Sequence, residues 1–184
     1  MNYKQHLSTI NKSKWVNTMD YITVHHTATW LWSIWGVLRQ LSVSTWTKAV
    51  SCHYVIDTNG DIYKIWEDSD ILWHAWASKW GNLKGMNSYA IGIEVIWPLI
   101  NWFTFEQRKA VRELVEDLRE KHKIPKENVL RHADITQLWT YSIQKILWDW
   151  KRRARKIDID SWFLNYSIWK PKYKDWKDWQ NSLK

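Results

Sequence analysis

Glycine, proline and cysteine are scarce in this 184-residue chain, which holds five glycines, three prolines and one cysteine, Cys52. A lone cysteine excludes an intramolecular disulfide and any zinc site built from several thiolates, so a metal centre here must draw on histidine and carboxylate. Long apolar runs are missing as well. The N-terminus carries no apolar segment of signal-peptide type, and no later run reaches the roughly 20 residues of a membrane span. Synthesis into the cytoplasm is expected, with any export by another route. Acid is in deficit: 27 Lys and Arg against 19 Asp and Glu give a formal charge of +8. That excess favours polyanions, whether nucleic acid, anionic lipid or the anionic polymers of a bacterial wall, without choosing between them. Along 106–123 the cations are interspersed with acids, and only 151–156 (KRRARK) and the Lys-rich tail concentrate them.

What is present suits one domain with its own core. Residues 1–19 are polar and without period, an N-terminal extension. Tyr21-Ile-Thr-Val24 is β-branched and aromatic and predicts a buried strand with two histidines at its end. Ile34, Val37, Leu38 and Leu41 recur at helical spacing across 33–42. Ser51–Asp57 and Asp61–Ile65 read as strands joined by an Asn59-Gly60 hairpin turn. Ala90–Ile96 is apolar enough for a central strand, interrupted by Glu94, a buried carboxylate that needs a reason to be there. Thr104-Phe-Glu-Gln107 is a capping box, and Phe105, Val111, Leu114, Val115 and Leu118 form a stripe that ends before Pro125. Val129–Arg131 is a short strand leading to His132, and 137–155 is a basic segment with a helical turn at 142–148. Strands alternating with helices predict an α/β domain with one central mixed β-sheet flanked by helices.

His25 and His132 both follow predicted strands, at a sheet edge where polar loops gather, and Asp158 follows the basic run. Two histidines and one carboxylate would leave a fourth zinc position open for water, as catalytic rather than structural zinc sites do. No HExxH-type local motif ties these residues together.

Six short segments in order resemble a known family: Ile22-Thr-Val-His-His-Thr-Ala28, Ser51-Cys-His-Tyr-Val-Ile-Asp57, Trp73-His-Ala75, Ser88-Tyr-Ala-Ile-Gly-Ile-Glu94, His132-Ala-Asp-Ile135 and Arg155-Lys-Ile-Asp158. Together they are similar to the type 2 N-acetylmuramoyl-L-alanine amidases, which include phage endolysins, muropeptide-recycling amidases and peptidoglycan-recognition proteins. The resemblance implies a peptidoglycan-recognition-protein-like fold over 20–164. It implies Zn2+ held by His25, His132 and Asp158, with His26 a structural neighbour. It further implies that Lys156 faces the reacting carbonyl and that Glu94 and Tyr54 hold acid/base or water-orienting positions. Trp73 and His74 match a segment that lines the substrate groove in relatives. Asn87 lies just before the Glu94 strand, in a loop placed to touch the stem peptide, and Asp134, two residues after a ligand, is placed to orient the loop or a histidine.

On this reading the substrate is peptidoglycan or a muropeptide, the bond cut joins N-acetylmuramic acid to L-alanine, and the protein is a monomer with no nucleic-acid partner. An endolysin acting on the cell wall and a recycling amidase both fit. Two other classes compete. A zinc-free peptidoglycan-binding module would lack a ligand, whereas all three candidates are present. A nucleic-acid-binding protein would rest on charge and aromatics alone.

Two departures from the family stand out. Residues 137–152 separate His132 from Asp158 more widely than in relatives, an insertion that surface loops tolerate, with Asp160 and then Asp149 as substitute ligands. The other departure is composition, 18 tryptophans against five glycines. Trp76, Trp97, Trp102 and Trp150, and with them Trp30, Trp66 and Trp162, stand where relatives and turn chemistry call for glycine. We read this as the mark of a gene whose UGA codons mean glycine. Codons of UGG at Trp76, Trp97 and Trp102 would overturn that. The rival reading is an aromatic surface for glycan stacking. The tail 165–184, with lysines among Trp169, Tyr173, Trp176 and Trp179, is suited to wall polymers or to packing on the domain.

Overall fold

The computed structural model describes residues 3–5, 12–27, 33–42, 50–75, 77–96 and 103–135. The described strands are β1 (Lys4–Gln5), β2 (Lys12–Val16), β3 (Tyr21–His26), β4 (Tyr54–Ile56), β5 (Ile62–Lys64), β6 (Asp70–Leu72), β7 (Lys79–Trp80), β8 (Leu83–Lys84), β9 (Ala90–Val95) and β10 (Val129–Arg131). The helices are α1 (Ile34–Ser42), α2 (Phe105–His122) and α3 (His132–Ile135). Every residue of β9 is buried, as befits a strand covered on both faces. It lies inside a six-stranded sheet of order β1-β5-β4-β9-β3-β10. Strands β4, β9, β3 and β10 run parallel and β5 antiparallel to β4, so the sheet is mixed, as expected.

Strand alternation divides the core in two. Ile22, Val24, Tyr54, Ile56, Ile91, Ile93 and Val95 face α2 and pack on its Ala110, Val111, Leu114, Val115 and Leu118. Val55 faces the other way, into a cluster with Ile34, Val37, Leu38 and Leu41 of α1, and with Trp66 and Leu72. Helix α2 begins where the capping box predicts: Thr104 Oγ1 accepts from Gln107 N at 3.0 Å, and Gln107 Oε1 accepts from Thr104 N at 3.0 Å. Gln107 Nε2 also donates to Ile96 O at 2.7 Å, which ties the helix start to the end of β9. The helix stops at Lys123, a left-handed residue two before Pro125. The β4–β5 turn needs Gly60 twice over: its φ is +83°, and a Cβ there would meet the Glu106 carbonyl oxygen at 2.8 Å.

Residues 1–19, read as a polar N-terminal extension without period, supply β1 to the edge of the main sheet and β2, which pairs antiparallel with β6. These strands escape a pattern search because β1 is two residues long and β2 is largely exposed, with Trp15 and Val16 each 72% accessible. Backbone pairing is joined by the ion pairs Lys4–Asp61 and Lys12–Asp70, and Tyr3 beside β1 packs on the core. Trp66 departs from the glycine expectation: it is wholly buried, and the left-handed non-glycine residues among those described are Met19, Ala77 and Lys123. Trp30, Trp76, Trp97, Trp102, Trp150 and Trp162 lie outside the described residues, as do 137–152, the turn at 142–148 and the tail 165–184. Among the described residues no helix is long and apolar enough to cross a membrane.

Candidate active site

Alternation along β3 separates the two adjacent histidines. His26 shares its parity with Ile22 and Val24 and falls on the α2 face, whereas His25 falls on the opposite face. There it stands in register with Glu94 of the neighbouring parallel strand, itself in register with Val55 of β4. His132 opens α3 directly after β10, the strand on the other flank of β3. His25 Nδ1 and His132 Nδ1 lie 2.7 Å apart. All these groups sit at the C-terminal ends of parallel strands, where open α/β sheets place their ligand sites.

Asp134 fixes the loop that presents His132. Its carboxylate accepts from the backbone N, Nε and Nη2 of Arg131 at 2.9, 2.8 and 2.5 Å, a clamp that closes the turn from β10 into α3. The orienting role expected for Asp134 is thus exerted on Arg131.

Behind His25 lies His74. Its Nδ1 is 3.1 Å from His25 Nε2 and its Nε2 is 3.1 Å from Ala90 O. The ring is buried and seated over Gly92, where a Cβ would stand 2.4 Å from the His74 Cγ. Trp73 N donates to Ser51 Oγ at 2.9 Å and Ala75 N to Asn87 Oδ1 at 2.7 Å, so the chain is strapped on both sides of His74. The resemblance places Trp73 and His74 on the substrate groove, and the loop position of Asn87 suggests contact with the stem peptide. The structure uses the His74 ring against His25 and the Asn87 side chain as a strap, while Trp73 as a residue is 38% accessible.

His53, which the sequence did not single out, completes this layer. Gly92 N donates to His53 Nδ1 at 2.8 Å, and His53 Nε2 is 2.9 Å from Asp70 O. Its ring meets that of His74 edge-on at 5.8 Å. Burial pushes His53 down to about 4, and burial aided by His53 pushes His74 down to about 3, so both rings are neutral at ordinary pH. Its odd-numbered parity with Val55 was the available signal, since that places His53 on the His25 face once the register is known.

Tyr54 does not join the site. It is in register with Ile93, points to the α2 face, and donates its hydroxyl to Asp68 Oδ1 at 2.5 Å. Burial alone would raise the Asp68 carboxyl, but hydrogen bonds from Lys121, Tyr54 and His122 bring it down to about 2. Tyr54 belongs to this ionic cluster on the α2 side of the sheet, in which Asp68 is buried and Lys121 half exposed. Lys156, Asp158, Asp149 and Asp160 lie outside the described residues. Among the described residues no three His, Cys, Asp or Glu side chains converge as a metal would require, so the described donors amount to the His25–His132 pair.

The sequence matches the N-acetylmuramoyl-L-alanine amidase family over residues 15–144. The chain belongs to this family. Among curated proteins the chain is 33% identical over 88 residues to the 1,6-anhydro-N-acetylmuramyl-L-alanine amidase AmpD of Haemophilus influenzae, which covers 47% of this chain and 48% of that protein. It is also 33% identical over 111 residues to the N-acetylmuramoyl-L-alanine amidase AmiD of Escherichia coli, 51% of this chain and 40% of that one. The chain thus spans about half, or less, of the length of these curated relatives. Its fold is similar to that of the catalytic domain of XlyA, with 25% identity, a TM-score of 0.60, and 85% and 99% of the two chains covered. PlyL superposes with a TM-score of 0.61 at 19% identity, covering 84% and 94%. The amidase fold expected from the sequence is the fold observed.

Proposed function

We propose that this family member hydrolyses the amide between N-acetylmuramic acid and L-alanine in peptidoglycan or in muropeptides released from it, as a zinc enzyme. The observation that carries the reading is the convergence of His25 Nδ1 and His132 Nδ1 at 2.7 Å beside Glu94, at the C-terminal ends of neighbouring parallel strands of an amidase fold. The two facing imidazole nitrogens are donors of the kind zinc takes once the hydrogen-bonded pair opens from 2.7 Å to the roughly 3.3 Å that two tetrahedral Zn–N bonds need, and Asp158 is proposed as the third ligand, in keeping with a two-histidine, one-carboxylate catalytic set. Bound zinc lowers the pKa of water and polarises a carbonyl.

The chain's own residues do the rest. Glu94, in register with His25, takes the proton from the attacking water and returns it to the departing L-alanine nitrogen. Lys156 is proposed to meet the negative charge that develops on the carbonyl oxygen. The Trp73 ring, exposed at the edge of the strapped segment 73–75, offers an apolar face to the glycan or peptide. A relative solved with anhydro-N-acetylmuramic acid-L-Ala-D-gamma-Glu-L-Lys makes the small anhydro-muropeptide one substrate to try, and intact wall the other.

The test is digestion of both substrates with and without chelator, alongside His25→Ala and Asp158→Ala, with labelling of new amino termini. Release of L-alanine amino termini that stops on chelation and in both variants is expected. Release that continues in chelator would defeat the zinc mechanism, and binding of wall without release would make the chain a binding module.

A further inference from the structure

We infer that His74 is a positioning residue that fixes the tautomer of His25, so that the Nδ1 lone pair of His25 is the one turned toward His132 and the metal position. The inference deepens the zinc reading above and rests on it only in taking His25 Nδ1 as a ligand.

The argument starts from Ala90 O, which can only accept. It receives Asn17 Nδ2 at 2.8 Å and stands 3.1 Å from His74 Nε2, so the His74 proton is on Nε2. A cationic ring is disfavoured in this place, which is buried and packed against the backbone of β9 at Gly92. In the neutral ring with Nε2 protonated, Nδ1 is an acceptor. Its partner at 3.1 Å is His25 Nε2, which must therefore donate. His25 then carries its proton on Nε2 and presents a bare Nδ1 on the side of His132, 2.7 Å away. Donation runs one way through the metal-free protein, from His132 Nδ1 to His25, from His25 to His74, and from His74 to the main chain.

The setting makes this arrangement rigid. Ser51 and Asn87 hold the backbone on either side of His74, and Gly92 leaves room for its ring where any Cβ would intrude. A histidine that binds metal through one nitrogen is commonly held by an acceptor at the other, and loss of such a partner costs about 10–100-fold in metal affinity. Here the acceptor is a second histidine whose own tautomer is set by a carbonyl.

The experiment uses the full chain in two readouts. In metal-free wild type, long-range 1H–15N spectra of the histidine rings are expected to show His25 protonated at Nε2 and His74 at Nε2. Zn2+ affinity, from competition with a chromogenic chelator, is expected to fall about 10–100-fold in His74→Phe, which keeps bulk but offers no acceptor. His74→Asn is expected to recover part of that loss, because Asn Oδ1 stands near the place of His Nδ1. Packing alone would rank the variants the other way, with the larger Phe the better replacement. A His25 proton found on Nδ1, or equal Zn2+ affinity in wild type and His74→Phe, would overturn the inference. Should His74→Phe not fold, the wild-type spectrum decides. Failure of wild type to take up Zn2+ would instead sink the zinc reading, and the spectrum would still judge the tautomer.

Discussion

Gly92 and His74, brought together from a strand and a loop, occupy one space: a Cβ added to Gly92 would lie 2.4 Å from Cγ and 2.7 Å from both Cδ2 and Nδ1 of the His74 ring. Gly92→Ala must therefore displace the ring from His25 or distort β9. The expected effect is a loss of about 1–3 kcal/mol in urea denaturation, the range for overpacking a filled site. Weaker Zn2+ uptake should accompany it. Unchanged stability and metal affinity together would show that His74 is free to move.

Glu94 occupies the central strand in register with His25 and is buried. Glu94→Gln keeps the shape and removes the base, so kcat on muropeptide is expected to fall about 10²–10⁴-fold. Zn2+ affinity should stay at the wild-type level. A variant that retains turnover would take Glu94 out of the proton path.

Tyr54 lies on the other side of the sheet, with its hydroxyl on Asp68. Tyr54→Phe is expected to leave amidase activity intact and to lower stability by about 1–3 kcal/mol, since a buried carboxylate loses one donor. Loss of activity at unchanged stability would return Tyr54 to the chemistry.

His53 is held neutral by burial, at about 4 in the folded protein against an ordinary value of 6.5. Because the unfolded chain takes up the proton first, this group's effect runs in one direction: stability is full above 6.5 and falls as the pH drops toward 4. The slope from this one residue is about 1.4 kcal/mol per pH unit in that window, and it ends below the folded value. Chemical denaturation across the window measures the slope, and a ring spectrum of His53 at about pH 5.5 should still report the neutral form. A protonated ring there would contradict the hydrogen bond from Gly92.

Trp66 fills the core beside α1 with no accessible surface. Trp66→Gly is expected to cost at least the roughly 3–5 kcal/mol seen when a buried tryptophan is truncated. A variant as stable as its parent would place glycine at this position and support the UGA reading, which the codon itself can settle.

How much of this was legible beforehand follows from how local each signal is. The capping box at Thr104, the stripe along α2, the Asn59-Gly60 turn and the apolar run of β9 are contained in neighbouring residues, and each led to the element observed. His25, His132 and Glu94 were visible as polar residues at the ends or interiors of apolar strands. Strand alternation requires that His25 and His26 face opposite ways, as do Tyr54 and Val55. It could not say which of each pair faces the site, because phase acquires meaning only when strands pair. The parallel register of β3 with β9 and of β9 with β4 made that choice, setting His25 beside Glu94 and sending Tyr54 to Asp68. The seating of His74 over Gly92, and of His53 against the same residue, belongs wholly to the tertiary structure. Those contacts join segments far apart in the chain, and no local propensity records which distant backbone will lack a Cβ where a ring must fit.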